Sequence, residues 1–96
     1  MAVYFVLEIE KVNDQQKFAE YGQRGVPTIE QYGGKLVVVG GAPETVEGNW
    51  QPQAVAILEF ENGEHFQRWY NSPEYQEVKP LRLQGTTSRG MLLQGA

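Results

Sequence analysis

Ninety-six residues with a net charge of -4 and a pI near 4.9 suit one acidic domain spanning residues 1–96, and they offer no basic footprint for a nucleic-acid backbone. Cysteine is absent and histidine occurs once, which excludes disulfides and thiolate chemistry and leaves too few soft ligands for a zinc site. No metal and no organic cofactor is therefore expected, and the apolar and charged fractions are those of a folded protein.

The opening MAVYFVLEIEK carries Glu8 and Glu10, has no basic leader and is too short to span a bilayer. It is expected to be a strand of a soluble, cytoplasmic protein without a membrane partner. At period two, Val3, Phe5, Leu7 and Ile9 share one face and form the expected core, whereas Tyr4, Val6 and Glu8 share the other. Asn13 and Asp14 then offer a helix cap, with Gln16 completing a capping box to Asn13. The following helix carries an apolar stripe of Phe18, Tyr21, Gly25 or Val26, Ile29 and Tyr32, and Pro27 predicts a kink or break between Arg24 and Pro27. Gly33-Gly34 predicts a left-handed stop.

Lys35 to Val39 reads as a second strand ended by Gly40-Gly41, and Ala42 to Gln53 as a loop anchored by Trp50. Val55 to Phe60 is a third strand that Asn62-Gly63 stops. An amphipathic piece with Phe66, Trp69 and Tyr70 follows, and Ser72-Pro73 signals a fresh helix start, with serine as cap and proline at the first helical position. Tyr75, Val78 and Leu81 continue at helical spacing until Pro80 and Gln84-Gly85, and Thr86 to Gln94 reads as the last strand. This order predicts an α+β, ferredoxin-like βαββαβ fold, a four-stranded antiparallel sheet with its helices on one face. The uncovered face, with Tyr4, Val6, Val55 and Ile57, is too apolar for water, which predicts a homodimer formed by packing two sheets.

Four segments, YGGKLVVVGG, VEGNWQP, AILEFEN and RWYNSPEYQ, appear in an order and spacing that closely resemble the family catalogued as domain of unknown function 1330. The likeness covers essentially the whole chain and implies membership of the dimeric α/β-barrel group, hence a ferredoxin-like protomer and a dimer built by sheet packing. That wider group includes cofactor-independent monooxygenases and lactone isomerases, but the family brings no established reaction or catalytic residue.

Function is therefore weighed residue by residue. His65 is the natural acid-base suspect near neutral pH, yet its polar register predicts an ordinary surface residue. Glu8 and Glu59 interrupt apolar strands on the expected dimer face and require a partner, which Arg89 can supply; the alternative is a general base in a pocket. Trp69, Tyr70, Asn71 and Tyr75 flank the helix break and are candidates for a ligand pocket between sheet and helix, with Trp50 closing its mouth and Glu59 as a base; the plain alternative is a solid aromatic core. Two classes remain: a cofactor-independent isomerase or monooxygenase acting on a small, partly apolar molecule, and a non-catalytic module that binds a small ligand or a partner.

Overall fold

The computed structural model describes residues 1–96. Strand β1 (Val3–Val12), helix α1 (Gln15–Gln31), strands β2 (Lys35–Gly41) and β3 (Ala54–Phe60), helices α2 (Gly63–Tyr70) and α3 (Pro73–Gly85) and strand β4 (Thr86–Gln94) follow in that order. The four strands form an antiparallel sheet in the order β2-β3-β1-β4. All three helices lie on one face, in the ferredoxin-like arrangement that the element order predicts.

The alternation of β1 decides which residues meet the helices. Val3, Phe5, Leu7 and Ile9 are buried with Leu58 and Phe60 of β3, Ile29 of α1, Phe66 and Trp69 of α2, and Tyr75 and Val78 of α3. On the opposite face Tyr4 stands beside Glu59, Val6 beside Ile57 and Glu8 beside Val55. No helix crosses that side. A register shift between Leu36 and Val38 in β2 turns Val38 toward the same face, opposite Ile57.

Four local expectations are settled or corrected. The cap of α1 is Asp14, whose Oδ1 accepts from the Lys17 amide at 3.1 Å, while the Asn13 side chain donates across to Thr87 at 3.2 Å. Helix α1 is not broken at Pro27. The carbonyl that proline leaves without an intrahelical donor belongs to Gln23, an exposed residue whose carbonyl water can satisfy, so the helix continues through it. Pro80 is likewise carried inside α3. The stripe of α1 passes through Gly25, which is buried, and not through Val26, which is exposed.

The break between α2 and α3 falls where Ser72-Pro73 signals it. Ser72 Oγ accepts from the Tyr75 amide at 3.1 Å and donates to the Trp69 carbonyl at 2.7 Å, so one buried hydroxyl ends α2 and begins α3. Ser72→Ala is expected to lower stability by about 1–2 kcal/mol, since both bonds vanish in a buried place; an unchanged denaturation midpoint would contradict this. Gly33, at φ 79°, makes the left-handed stop after α1, and Gly34 lets the chain pass under the core, since a Cβ there would lie 2.5 Å from the Phe60 ring. Gly34→Ala is expected to cost about 1–3 kcal/mol in chemical denaturation, because Phe60 and Ile29 are buried and have little room to move.

Candidate functional site

Two clusters of polar side chains stand out, one on each side of the sheet. The first is on the open face, at Glu8. Arg89 stands directly across from Glu8 in the β1–β4 ladder, and its Nε donates to Glu8 Oε1 at 2.5 Å. Trp50 Nε1 donates to Glu8 Oε2. The loop that delivers Trp50 is tied to β1 by a bond from the Gln53 amide to the Ile9 carbonyl and one from the Val12 amide to Gln53 Oε1, each 2.8 Å. Glu8 is thereby only 8% exposed although no helix covers it. With both oxygens occupied, first by Trp50 and then by Arg89, its carboxyl titrates below the usual glutamate range despite desolvation, which acts the other way. A group so held is a poor proton acceptor near neutrality. Beside it, Val6, Met91, Leu93 and the Trp50 ring line an open hollow of about 430 Å³.

The second cluster lies under the helices. Tyr75 is wholly buried and its ring packs 4.0 Å, centroid to centroid, from that of Trp69. Trp69 Nε1 donates to Thr28 Oγ1 at 2.9 Å, and Thr28 donates to the Gly25 carbonyl, so the indole is satisfied inside the core. The Tyr75 and Tyr21 hydroxyls are 2.9 Å apart, and burial pushes the Tyr21 phenol far upward, so it stays neutral. Against them lies Arg82, only 4% exposed. Its Nη1 donates to Ser88 Oγ at 2.9 Å and its Nη2 to the Tyr75 hydroxyl at 3.4 Å, while Nε has no partner.

Between these residues and the surface is a cleft of about 500 Å³. Its floor is Phe5, Gly90 and Leu92; Phe66, Gln67, Tyr70 and Asn71 wall one side, Arg82, Leu83 and Ser88 another, and Arg89 and Met91 of β4 also line it. Gly90 keeps the floor low, because a Cβ there would lie 2.7 Å from the Phe5 ring. The cleft exists because α2 stops at Tyr70 and α3 sets off only at Pro73, so neither helix covers the β4 edge of the sheet.

The residues singled out from the sequence are divided by this geometry. Tyr70 and Asn71 are on the cleft wall, whereas Trp69 and Tyr75 are core residues behind it. Trp50 does not close the cleft: its loop is bonded to β1, which carries the indole to Glu8 on the other side of the sheet. Glu59 also faces away, level with Tyr4 and Lys35, because alternation in β3 sends Leu58 and Phe60 to the helices. His65 is not a free surface residue; it is half-buried, with its amide and Nδ1 both 2.9 Å from Asn62 Oδ1, the cap of α2. Arg82 and Ser88 were not singled out. The signal for Arg82 was its step of seven from Tyr75, two turns along the buried face of α3.

A family model described as Domain of unknown function (DUF1330) matches residues 2–96. The chain belongs to this family. No curated protein matches this DUF1330 chain. Among solved structures it is similar to the RPA0582 protein of unknown function from Rhodopseudomonas palustris, with TM-score 0.82 and 21% identity over 99% of this chain and 82% of that one. It is similar to a dimeric ferredoxin-like protein of unknown function from Jannaschia sp. CCS1, with TM-score 0.83 and 9% identity over 99% and 100% of the two chains. SnoaB from Streptomyces nogalater, a cofactor-independent oxygenase, gives TM-score 0.73 and 18% identity over 99% and 93%. At these identities the likenesses establish the ferredoxin-like α+β fold, and no helix of this DUF1330 protein is long and apolar enough to cross a membrane.

The Glu8 cluster yields a pH prediction with a defined sign. Because the folded carboxyl titrates below the ordinary value of 4.5, its contribution to stability is complete above that value and is lost as pH falls through the lower folded one. Glu8→Gln should therefore be less stable than the parent at pH 7, and the gap should narrow below about pH 4. A gap that is constant from pH 7 to pH 3 in urea denaturation would contradict this.

Proposed function

We propose that this protein is a homodimer that binds a small, partly apolar molecule in the cleft between β4 and the α2–α3 junction of each protomer. One observation carries the binding role: the interrupted helix leaves about 500 Å³ open above an apolar floor, with amide, hydroxyl and guanidinium groups on its walls. Such a mixture fits a ligand with an aromatic or alicyclic body and one or two polar substituents.

Support for the dimer comes from the other side of the sheet. Val38, Met91 and Leu93 are exposed there beside Tyr4, Val6, Val55 and Ile57, an apolar surface that a second copy would cover. The ordered Glu8 pair gives that surface a polar point already matched within one chain. The description of the Jannaschia protein as dimeric agrees with this reading. A cytoplasmic setting is part of the same proposal, on the acidic, cysteine-free composition.

Binding is favoured over catalysis by the lining of the cleft. The enzyme reading, a cofactor-independent isomerase or monooxygenase, draws on the likeness to SnoaB at 18% identity. The cleft presents donors but no carboxylate or imidazole that would take a proton from a substrate, and Glu8 and Glu59 are on the far side of the sheet.

Sedimentation velocity at about 20 µM should show a dimer, as expected for a micromolar or tighter constant. Ile57→Asp should weaken association by about 100-fold or more, since an unpaired carboxylate would be buried. A monomer in the parent protein would overturn the assembly. For the cleft, a screen of small aromatic and lactone compounds followed by backbone amide NMR should perturb Gln67, Tyr70, Asn71 and Leu83; perturbations confined to the open face would overturn it.

A further inference from the structure

We infer that the ligand of the cleft is an anion, a carboxylate or an acid of similar geometry attached to an apolar body, and that Arg82 is the group that recognises it. The inference rests on the reading of the cleft as a binding site and adds the chemical class of its occupant.

The argument starts from the donors of one side chain. A guanidinium has five N–H groups and a charge that is never lost at ordinary pH. In this structure Arg82 donates to Ser88 Oγ and to the Tyr75 hydroxyl, two of the five, and its Nε has no partner. A buried charge is ordinarily matched by an opposite one, because removing it from water is costly and neutral partners restore only part of the loss. None of the ion pairs in the molecule includes Arg82: they join Arg24 to Glu20, His65 to Glu61 and Arg89 to Glu8. The Tyr21 phenol does not supply the missing charge, because burial drives it upward and holds it neutral.

The hydroxyls nearby are also committed. Thr86 Oγ1 donates to the Arg82 carbonyl at 2.7 Å, so the hydrogen between Thr86 and Ser88, 3.0 Å apart, comes from Ser88. Ser88 can accept from Arg82 but has no second hydrogen for a ligand. The unused donor in this corner therefore belongs to the guanidinium. Arg82 and Ser88 both line the cleft, so the side chain that carries the uncompensated charge borders it, although Nε itself is buried. A carboxylate supplies two acceptor oxygens matched to a planar pair of N–H groups, and Phe5, Phe66 and Leu92 would contact the apolar part of the same molecule.

The test compares acids with neutral molecules of the same shape. Benzoate, salicylate and 1-naphthoate, each paired with its primary amide, are titrated into the dimeric protein while the Arg82 Nε–H resonance and the backbone amides of Tyr70 and Asn71 are followed by ¹⁵N NMR. The acids should bind at least about tenfold more tightly than their amides and should shift the Nε–H resonance, as expected for a charge-assisted bond. Arg82→Gln should abolish the preference, and Arg82→Lys should retain part of it. If acid and amide bind alike at Tyr70 and Asn71 with the Nε–H resonance unmoved, the anion inference falls while the cleft remains a binding site. If no member of the panel perturbs the cleft, both fall. The comparison in the parent protein decides the matter even if an Arg82 variant does not fold.

Discussion

The central strand β1 is bonded to β3 on one side and β4 on the other, and its alternation places four large apolar residues toward the helices. That division governs the molecule. Because helices occupy one side only, the core can be no thicker than one sheet and one helical layer, and the Cα dimensions of 33 × 33 × 15 Å describe such a slab. Apolar groups on the reverse of the strands have no partner within the chain. The sheet is therefore asked to satisfy two faces with a single layer of cover, and the two polar clusters stand where that cover ends.

Under the helices, the hydroxyl of Ser72 sets the phase of α3 and so chooses which of its residues enter the core. From that start, Tyr75, Val78 and Arg82 recur at steps of three and four and are all buried. Arg82 is thus carried inward by the register that also buries Tyr75. Its aliphatic stem suits that position, but its head does not, and Tyr75, Tyr21 and Ser88 form the polar surroundings that make it tolerable. The same break that frees α3 to turn leaves the β4 edge open, so the buried charge and the cleft have one origin.

Most of the architecture was legible in the sequence because its signals are local. Strand periodicity in β1, the Ser72-Pro73 start and the Gly33-Gly34 stop each act within a few residues, and the element order then admits few topologies. Pro27 misled because its penalty depends on whether the freed carbonyl meets water, a property of the folded surface. The candidate site was less legible for the opposite reason. Trp50 reaches Glu8 across 42 positions and Arg89 reaches it across 81, distances over which no periodicity speaks, although the need of Glu8 for a partner was visible and Arg89 was the evident choice. Reading Glu59 and Tyr75 as neighbours asked one strand to serve both faces at once, which alternation forbids. Arg82 was less legible because a charge ordinarily stands on the exposed side of a helix, and only its spacing of seven from Tyr75 places it on the buried one.

The two arginines near β4 show how charge distinguishes the faces. Arg89 extends over the open face, where it is mostly exposed and meets a carboxylate whose other oxygen is held by Trp50. Both carboxylate oxygens of that cluster are matched inside one chain, so it would meet a second copy without presenting an unpaired carboxylate. Arg82, seven residues earlier, is buried among neutral oxygens with a donor unused. A folded chain tolerates such a group where its surroundings are polar enough to hold it, and these surroundings open on the cleft. The satisfied ion pair is therefore on the face proposed for assembly, and the unsatisfied guanidinium is on the side of the sheet that holds the proposed ligand cleft.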